Sequence, residues 1–171
     1  MSRDYPGDFP PMQKALFLDR DGVVNHDPGD YTMSLEEFII LPTVVPALKI
    51  ASDKGYKIFI ITNQGGIAKG LYNHDTVHAM HEKLRDTCQK AGVEITHIYY
   101  SPHHPDFGNS LTRKPESLLM ERAIARYKID VGKSVMIGDR DRDVQCAAKA
   151  GVRGILIKTN DNLIDYVNNL E

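Results

Sequence analysis

Short apolar runs and amphipathic stretches alternate along the chain. Ala15-Leu16-Phe17-Leu18 is apolar throughout and is followed at once by Asp19-Arg20-Asp21-Gly22, the pattern of a strand buried on both faces. Across residues 43–54, apolar side chains at Val44, Val45, Leu48, Ile50 and Ala51 recur at helical spacing, with Thr43 as the expected cap and Gly55 as the stop. The same cycle then repeats. Residues 56–61 read as strand, 73–91 as a helix closed by Gly92, and 95–100 as strand. Residues 115–127 read as a helix with Pro115 in its tolerant first turn, and 134–137 as a fourth strand. Residues 140–150 complete the next helix, 154–157 the fifth strand, and 162–170 a short last helix.

Strands alternating with helices at this spacing predict an α/β fold: a doubly wound, Rossmann-like parallel sheet with right-handed crossovers and helices on both faces. The expected organisation is a flexible tail over residues 1–13, rich in Pro, followed by one domain over 14–171. In such sheets ligands bind outside the carboxyl ends of the strands, so the residues after each strand are the ones to inspect. After the first come Asp19, Asp21 and Asn25; after the second, Thr62-Asn63-Gln64-Gly65-Gly66; after the third, a loop running to Arg113-Lys114; after the fourth, Gly138-Asp139 through Asp143.

Each fragment has a plainer reading. Asp-Gly is a common turn pair, Gly138 to Asp143 suits a helix cap with a solvated Arg/Asp face, and a lone Gly-Gly loop is a weak signal. Together they are harder to dismiss, because several carboxylates in one crevice raise one another's pKa unless a cation sits among them. Oxygen-only donors with room for water point to Mg²⁺. Gly65-Gly66 can present backbone N–H groups to an oxyanion and Lys114 adds a positive charge, so a metal beside an anion site predicts phosphate chemistry.

The four clusters, Asp19-x-Asp21-Gly-Val-Val, Thr62, Lys114 and Gly138-Asp139-x-x-x-Asp143, stand in the order of the motifs of haloacid dehalogenase-type (HAD-like) phosphatases, and the resemblance covers residues 14–158. Within that superfamily the wording around Thr62-Asn63-Gln64, Tyr99-Tyr100-x-Pro102-His103-His104-Pro105 and Arg113-Lys114-Pro115 resembles the D-glycero-D-manno-heptose 1,7-bisphosphate phosphatases, with histidinol-phosphate phosphatases the neighbouring group. The resemblance implies Asp19 as nucleophile and Asp21 as acid and base. It implies Mg²⁺ held by Asp19, the Asp21 carbonyl and Asp139, with Asp143 orienting a metal water or Lys114. Thr62, Asn63, Gln64 and Lys114 would bind phosphate, and Arg113 would reach the rest of a small phosphorylated sugar.

One departure is evident. Relatives bind a structural zinc through Cys-x-His and Cys-x-Cys, whereas this chain has Ser101, His103, Ser110 and Thr112 there. A single histidine without thiolates is a poor zinc site, so the expectation is no structural zinc and a loop held by Pro102, Pro105 and local hydrogen bonds.

Length and composition narrow the picture further. The 171 residues leave almost nothing outside the sheet, which predicts a capless site walled by loops 25–35, 65–72 and 101–112. A net charge of −2 argues against nucleic-acid or membrane-surface partners. No signal peptide or spanning segment stands out, so a cytoplasmic location is expected, with a monomer the default. Cys88 and Cys146 read as buried apolar groups. His74, His78 and His81 share a helical stripe, solvated or half-buried in the plain reading and metal-binding in the alternative. His103 and His104 read equally as loop packing or substrate contacts. A non-enzymatic phosphate-sensing receiver would share the acids and lysine but would not need Asp21.

Overall fold

In the computed structural model, which describes residues 11–171, five parallel strands lie in the order β3-β2-β1-β4-β5. The strands are β1 (Ala15–Leu18), β2 (Lys57–Asn63), β3 (Ile95–Ser101), β4 (Val135–Gly138) and β5 (Arg153–Leu156). Between and after them run α1 (Val44–Asp53), α2 (His74–Lys90), α3 (Leu118–Tyr127), α4 (Asp141–Lys149) and α5 (Leu163–Val167). Residues 1–10 of the expected tail lie outside the described residues. At that segment's other end Gln13 is tied to Lys128 and Asp130 through backbone hydrogen bonds of 3.1 and 2.9 Å.

β1 is central, and its alternation builds the two halves of the core. Leu16 and Leu18 face one layer with Leu48 of α1, Met80 and Leu84 of α2 and Val167 of α5. Ala15 and Phe17 face the other with Leu119 and Met120 of α3 and Ala147 of α4. Burial on both faces is why β1 is apolar at every position. Cys88 and Cys146 are fully buried in opposite layers, as the apolar reading expected, and are too far apart in the fold to pair.

Register brings the strand ends together. Leu18 pairs with Ile60 on one side and Ile137 on the other, so Asp19 and Asp139 leave the sheet beside Thr62, near the end of β2. Two local expectations are corrected. Thr43 does not cap α1 with its side chain; its hydroxyl instead accepts from Leu163 N at 3.4 Å, joining α1 to α5. α3 begins at Leu118 and not near Pro115, because residues 111–116 form turns that bring Lys114 into the core at 2% exposure.

Candidate active site

Four buried charges meet at the foot of a cleft. Lys114 Nζ lies 2.7 Å from Asp19 Oδ1 and 2.6 Å from Asp143 Oδ1, and all three side chains are at most 5% exposed. Burying one cation between two anions is tolerable only because the opposite charges compensate one another's lost hydration. Asp139 completes the group, and Asp19, Asp139 and Asp143 each offer an oxygen within 4.8 Å of the others. Close approach explains two glycines. A Cβ on Gly138 would stand 2.2 Å from Asp143 Cβ, and one on Gly22, whose φ is +84°, would stand 2.4 Å from Asp139 Oδ2.

The electrostatics follow from burial. Loss of hydration pushes the Asp19 carboxyl up to about 7, against the pull of Lys114 and with added repulsion from Asp143 and Asp21. Burial also raises Asp139, whose Oδ2 accepts from Thr159 Oγ1 at 2.7 Å. Its other oxygen, Oδ1, is buried without a hydrogen-bond partner. Burial alone would lower Lys114, yet its two carboxylates hold it above the ordinary lysine value.

Asp21 is built differently. Its side chain is 29% exposed, Oδ1 accepts from Arg20 at 2.8 Å and Asn25 at 3.0 Å, and Oδ2 accepts from Gln64 at 2.9 Å. Burial acts to raise this carboxyl, but the Arg20 charge and these hydrogen bonds outweigh it and the balance lies below the usual range. Arg20 is itself enclosed at 1% exposure, against Met80 Sδ and His81 Nε2. Sequence reasoning passed over Arg20 as the spacer between two acids, and the only available signal was its position inside an otherwise buried segment.

Two residues expected to contact phosphate have their side chains committed elsewhere. Asn63 clasps the Lys114 backbone, donating to its carbonyl at 3.0 Å and accepting from its N–H at 2.9 Å. Gln64 donates to Thr62 Oγ1 as well as Asp21 and accepts from Tyr72 OH at 2.8 Å. Both therefore position the groups beside them, and Thr62 keeps its own hydroxyl proton to give.

Beside the nest, reached through its sequence neighbours Asp21, Asn63, Arg113 and Arg140, lies a cleft of about 270 Å³ also lined by Tyr31, Tyr72 and Arg142. Arg113 donates to the His103 carbonyl at 2.8 Å, and burial together with the neighbouring Arg142 charge lowers its proton affinity. Arg140 reaches Asp27 at 2.9 Å. The loop that lacks cysteines is joined by hydroxyls: Thr112 Oγ1 lies 3.0 Å from Ser101 Oγ and 2.8 Å from Ser110 Oγ. Gly65 packs under it, where a Cβ would meet Arg113 Nη1 and the His104 ring at 3.0 Å.

The three helix histidines do not converge on one point. His74 and His78 meet at Tyr100, whereas His81 turns inward to Arg20, and burial followed by the Arg20 charge drives its pKa down to about 3.

Comparison with known proteins agrees with this geometry. Residues 111–168 match the HAD-hydrolase-like family model. A D-glycero-D-manno-heptose-1,7-bisphosphate 7-phosphatase of Chlorobaculum tepidum is 36% identical over 160 residues, covering 87% of this chain and 80% of the relative. The D-glycero-beta-D-manno-heptose-1,7-bisphosphate 7-phosphatase of Pseudomonas putida is 38% identical over 146 residues, covering 85% and 83%. The crystal structure of D,D-heptose 1,7-bisphosphate phosphatase from B. bronchiseptica, complexed with magnesium and phosphate, superposes with a TM-score of 0.80 at 33% identity, covering 92% of this chain and 88% of that one. A buried strand-end acid nest, its lysine and relatives matched along most of their length place this chain in the heptose-bisphosphate phosphatase family of HAD-like hydrolases.

Proposed function

We propose that the protein is a Mg²⁺-dependent phosphatase that removes the C7 phosphate of D-glycero-D-manno-heptose 1,7-bisphosphate through an aspartyl-phosphate on Asp19. The observation that carries this reading is the pairing of the Asp19–Lys114–Asp143 nest with a cleft rimmed by Arg113, Arg140 and Arg142. One phosphate suits the nest and a second suits the rim, where guanidinium groups bind phosphate oxygens in pairs.

Lys114 holds Asp19 Oδ1, which leaves Oδ2 to attack phosphorus while the bond from phosphorus to the C7 oxygen breaks. Asp21, lining the cleft, gives its proton to that leaving oxygen. Its carboxyl rests below the usual range, and the arriving phosphate dianion raises it toward the protonated form. In the second half, Asp21 takes a proton from water, the water oxygen attacks phosphorus, and inorganic phosphate leaves with Asp19 restored. Thr62 donates to a phosphoryl oxygen, and Asn63 and Gln64 fix Lys114 and Asp21 in place.

The donor set fits Mg²⁺. Asp139 Oδ1 is buried without a partner, and the neighbouring Asp19 and Asp143 oxygens are hard anionic donors. Asp19, the Asp21 carbonyl and Asp139 would hold the ion, with Asp143 beside it keeping Lys114 in position. When bound, Mg²⁺ would offset charge on the transferring phosphoryl group. The Ser101–Thr112–Ser110 hydroxyls support a loop that needs no zinc, because neutral hydroxyls are weak zinc ligands beside thiolates.

Phosphate release measured with Mg²⁺ over heptose bisphosphate, histidinol phosphate, fructose bisphosphate and nucleotides tests the reading. Preferential release from heptose bisphosphate is expected. Cleavage of histidinol phosphate without heptose bisphosphate would overturn the substrate, and release from none of them would overturn the activity.

A further inference from the structure

At the edge of the buried face of α2, where it meets β3, His74 Nδ1 lies 2.8 Å from Tyr100 OH and His78 Nε2 lies 3.0 Å from the same oxygen. The two histidines are four residues apart, in His-Asp-Thr-Val-His, which stacks them on one face of the helix. Both are exposed, and Tyr100 is half-buried at the carboxyl end of β3. The phosphatase reaction makes no use of the three.

From this convergence we infer a transition-metal site, formed by His74 Nδ1 and His78 Nε2 with the Tyr100 oxygen as third donor, that takes a borderline cation of the Zn²⁺, Ni²⁺ or Cu²⁺ class. Imidazole nitrogen is the donor these ions prefer, and Mg²⁺ does not compete for it. Bonds of about 2.0–2.1 Å to nitrogen and oxygen place neighbouring ligands of one ion about 3 Å apart, the separation found between the tyrosine oxygen and each imidazole. The helix frame does the ordering in advance. Asn73 caps the first turn of α2 by accepting from Thr76 N at 2.9 Å, so His74 and His78 are presented on a rigid start and not on a frayed end.

Without an ion, one imidazole donates N–H to the tyrosine oxygen while the other accepts its O–H. On binding an ion the donor imidazole carries its proton on its other ring nitrogen and the tyrosine proton passes to solvent, so both ring nitrogens and the oxygen face the ion as electron-pair donors. His81, one turn further on the same stripe, is excluded from the set because its Nε2 lies 3.5 Å from the Arg20 guanidinium. The site would pin the first turn of α2 to the end of β3, directly after the loop that carries Tyr72 into the cleft.

Copper titration of chelator-stripped, Mg²⁺-saturated protein, read by electron paramagnetic resonance, tests the site without reference to activity. The wild type is expected to take up one Cu²⁺ showing coupling to two nitrogens. His74→Ala and His78→Ala are each expected to lose that two-nitrogen signal and at least tenfold in affinity, and Tyr100→Phe to keep the signal with weaker binding. Zn²⁺ should raise the melting temperature of the wild type and not of His78→Ala. A two-nitrogen signal that persists in His78→Ala, or copper bound by the wild type through oxygens alone, overturns the inference. Phosphate release by these variants is expected to match the wild type, so the outcome is separate from that of the proposed activity.

Discussion

The nest and the rim of the cleft solve opposite electrostatic problems. In the nest Lys114 is held between Asp19 and Asp143 at 2.7 and 2.6 Å, with all three side chains buried. On the rim Arg113, Arg140 and Arg142 line open solvent, and Arg113 is repelled by its neighbour Arg142. The Lys114 pairing in the nest is satisfied internally, while Asp139 Oδ1 keeps a buried oxygen free for an ion. On the rim Arg140 is paired with Asp27, whereas Arg113 and Arg142 are like charges that an incoming anion would satisfy. Chemistry should therefore depend on the nest and recognition on the rim.

Substitutions can separate the two. The largest effect is expected for Asp19→Asn, which keeps the shape and removes the nucleophile; turnover should fall by on the order of 10⁶-fold, as when other covalent catalysts lose theirs. Steady-state kinetics at saturating Mg²⁺ checks this. Lys114→Met should cost the ion-free protein about 3–5 kcal/mol, because it strands two buried carboxylates. Chemical denaturation with and without Mg²⁺ measures it, and Mg²⁺ should restore part of the loss.

Arg142→Ala should leave stability unchanged and raise KM for a bisphosphate by about 10- to 100-fold, the worth of a charged hydrogen bond of about 1.5–3 kcal/mol. The same variant should not change KM for a sugar monophosphate. An equal change for both substrates would erase the division between nest and rim.

A smaller effect lies beneath Asp21. His81 falls from the usual 6.5 to about 3 in the fold, so between those values the unfolded chain binds a proton that the folded chain does not. The His81 contribution must then drop as pH falls through that window, by about 2 kcal/mol at pH 5. Asp19, raised to about 7, adds stability over the same range, so in urea unfolding at pH 7 and pH 5 the His81 contribution is read as the difference: His81→Leu should gain about 2 kcal/mol more than the wild type on going to pH 5.

What could be read from the sequence follows the same division. β1 and β4 were legible because both are short apolar runs that end in acids, plain turn or cap features one at a time but hard to dismiss together, and the order of strands and helices followed from hydrophobic spacing. Partnerships across long stretches of chain were not. The clasp of Asn63 on Lys114, the bond from Thr159 to Asp139 and the enclosure of Arg20 by His81 join residues whose spacing carries no periodic signal. The start of α3 was misplaced for the same reason. Pro115 suits a first helical turn locally, but the demand that Lys114 reach Asp19 holds that segment in turns.

The covalent role of Asp19 is the central claim, and stereochemistry at phosphorus tests it most directly. Two in-line displacements, the first by Asp19 and the second by water, each invert phosphorus. A bisphosphate carrying a chiral oxygen-isotope-labelled phosphorothioate at C7, hydrolysed in water of the third oxygen isotope, should therefore release chiral thiophosphate with net retention. Net inversion would mean that water attacks the substrate directly and would contradict the account.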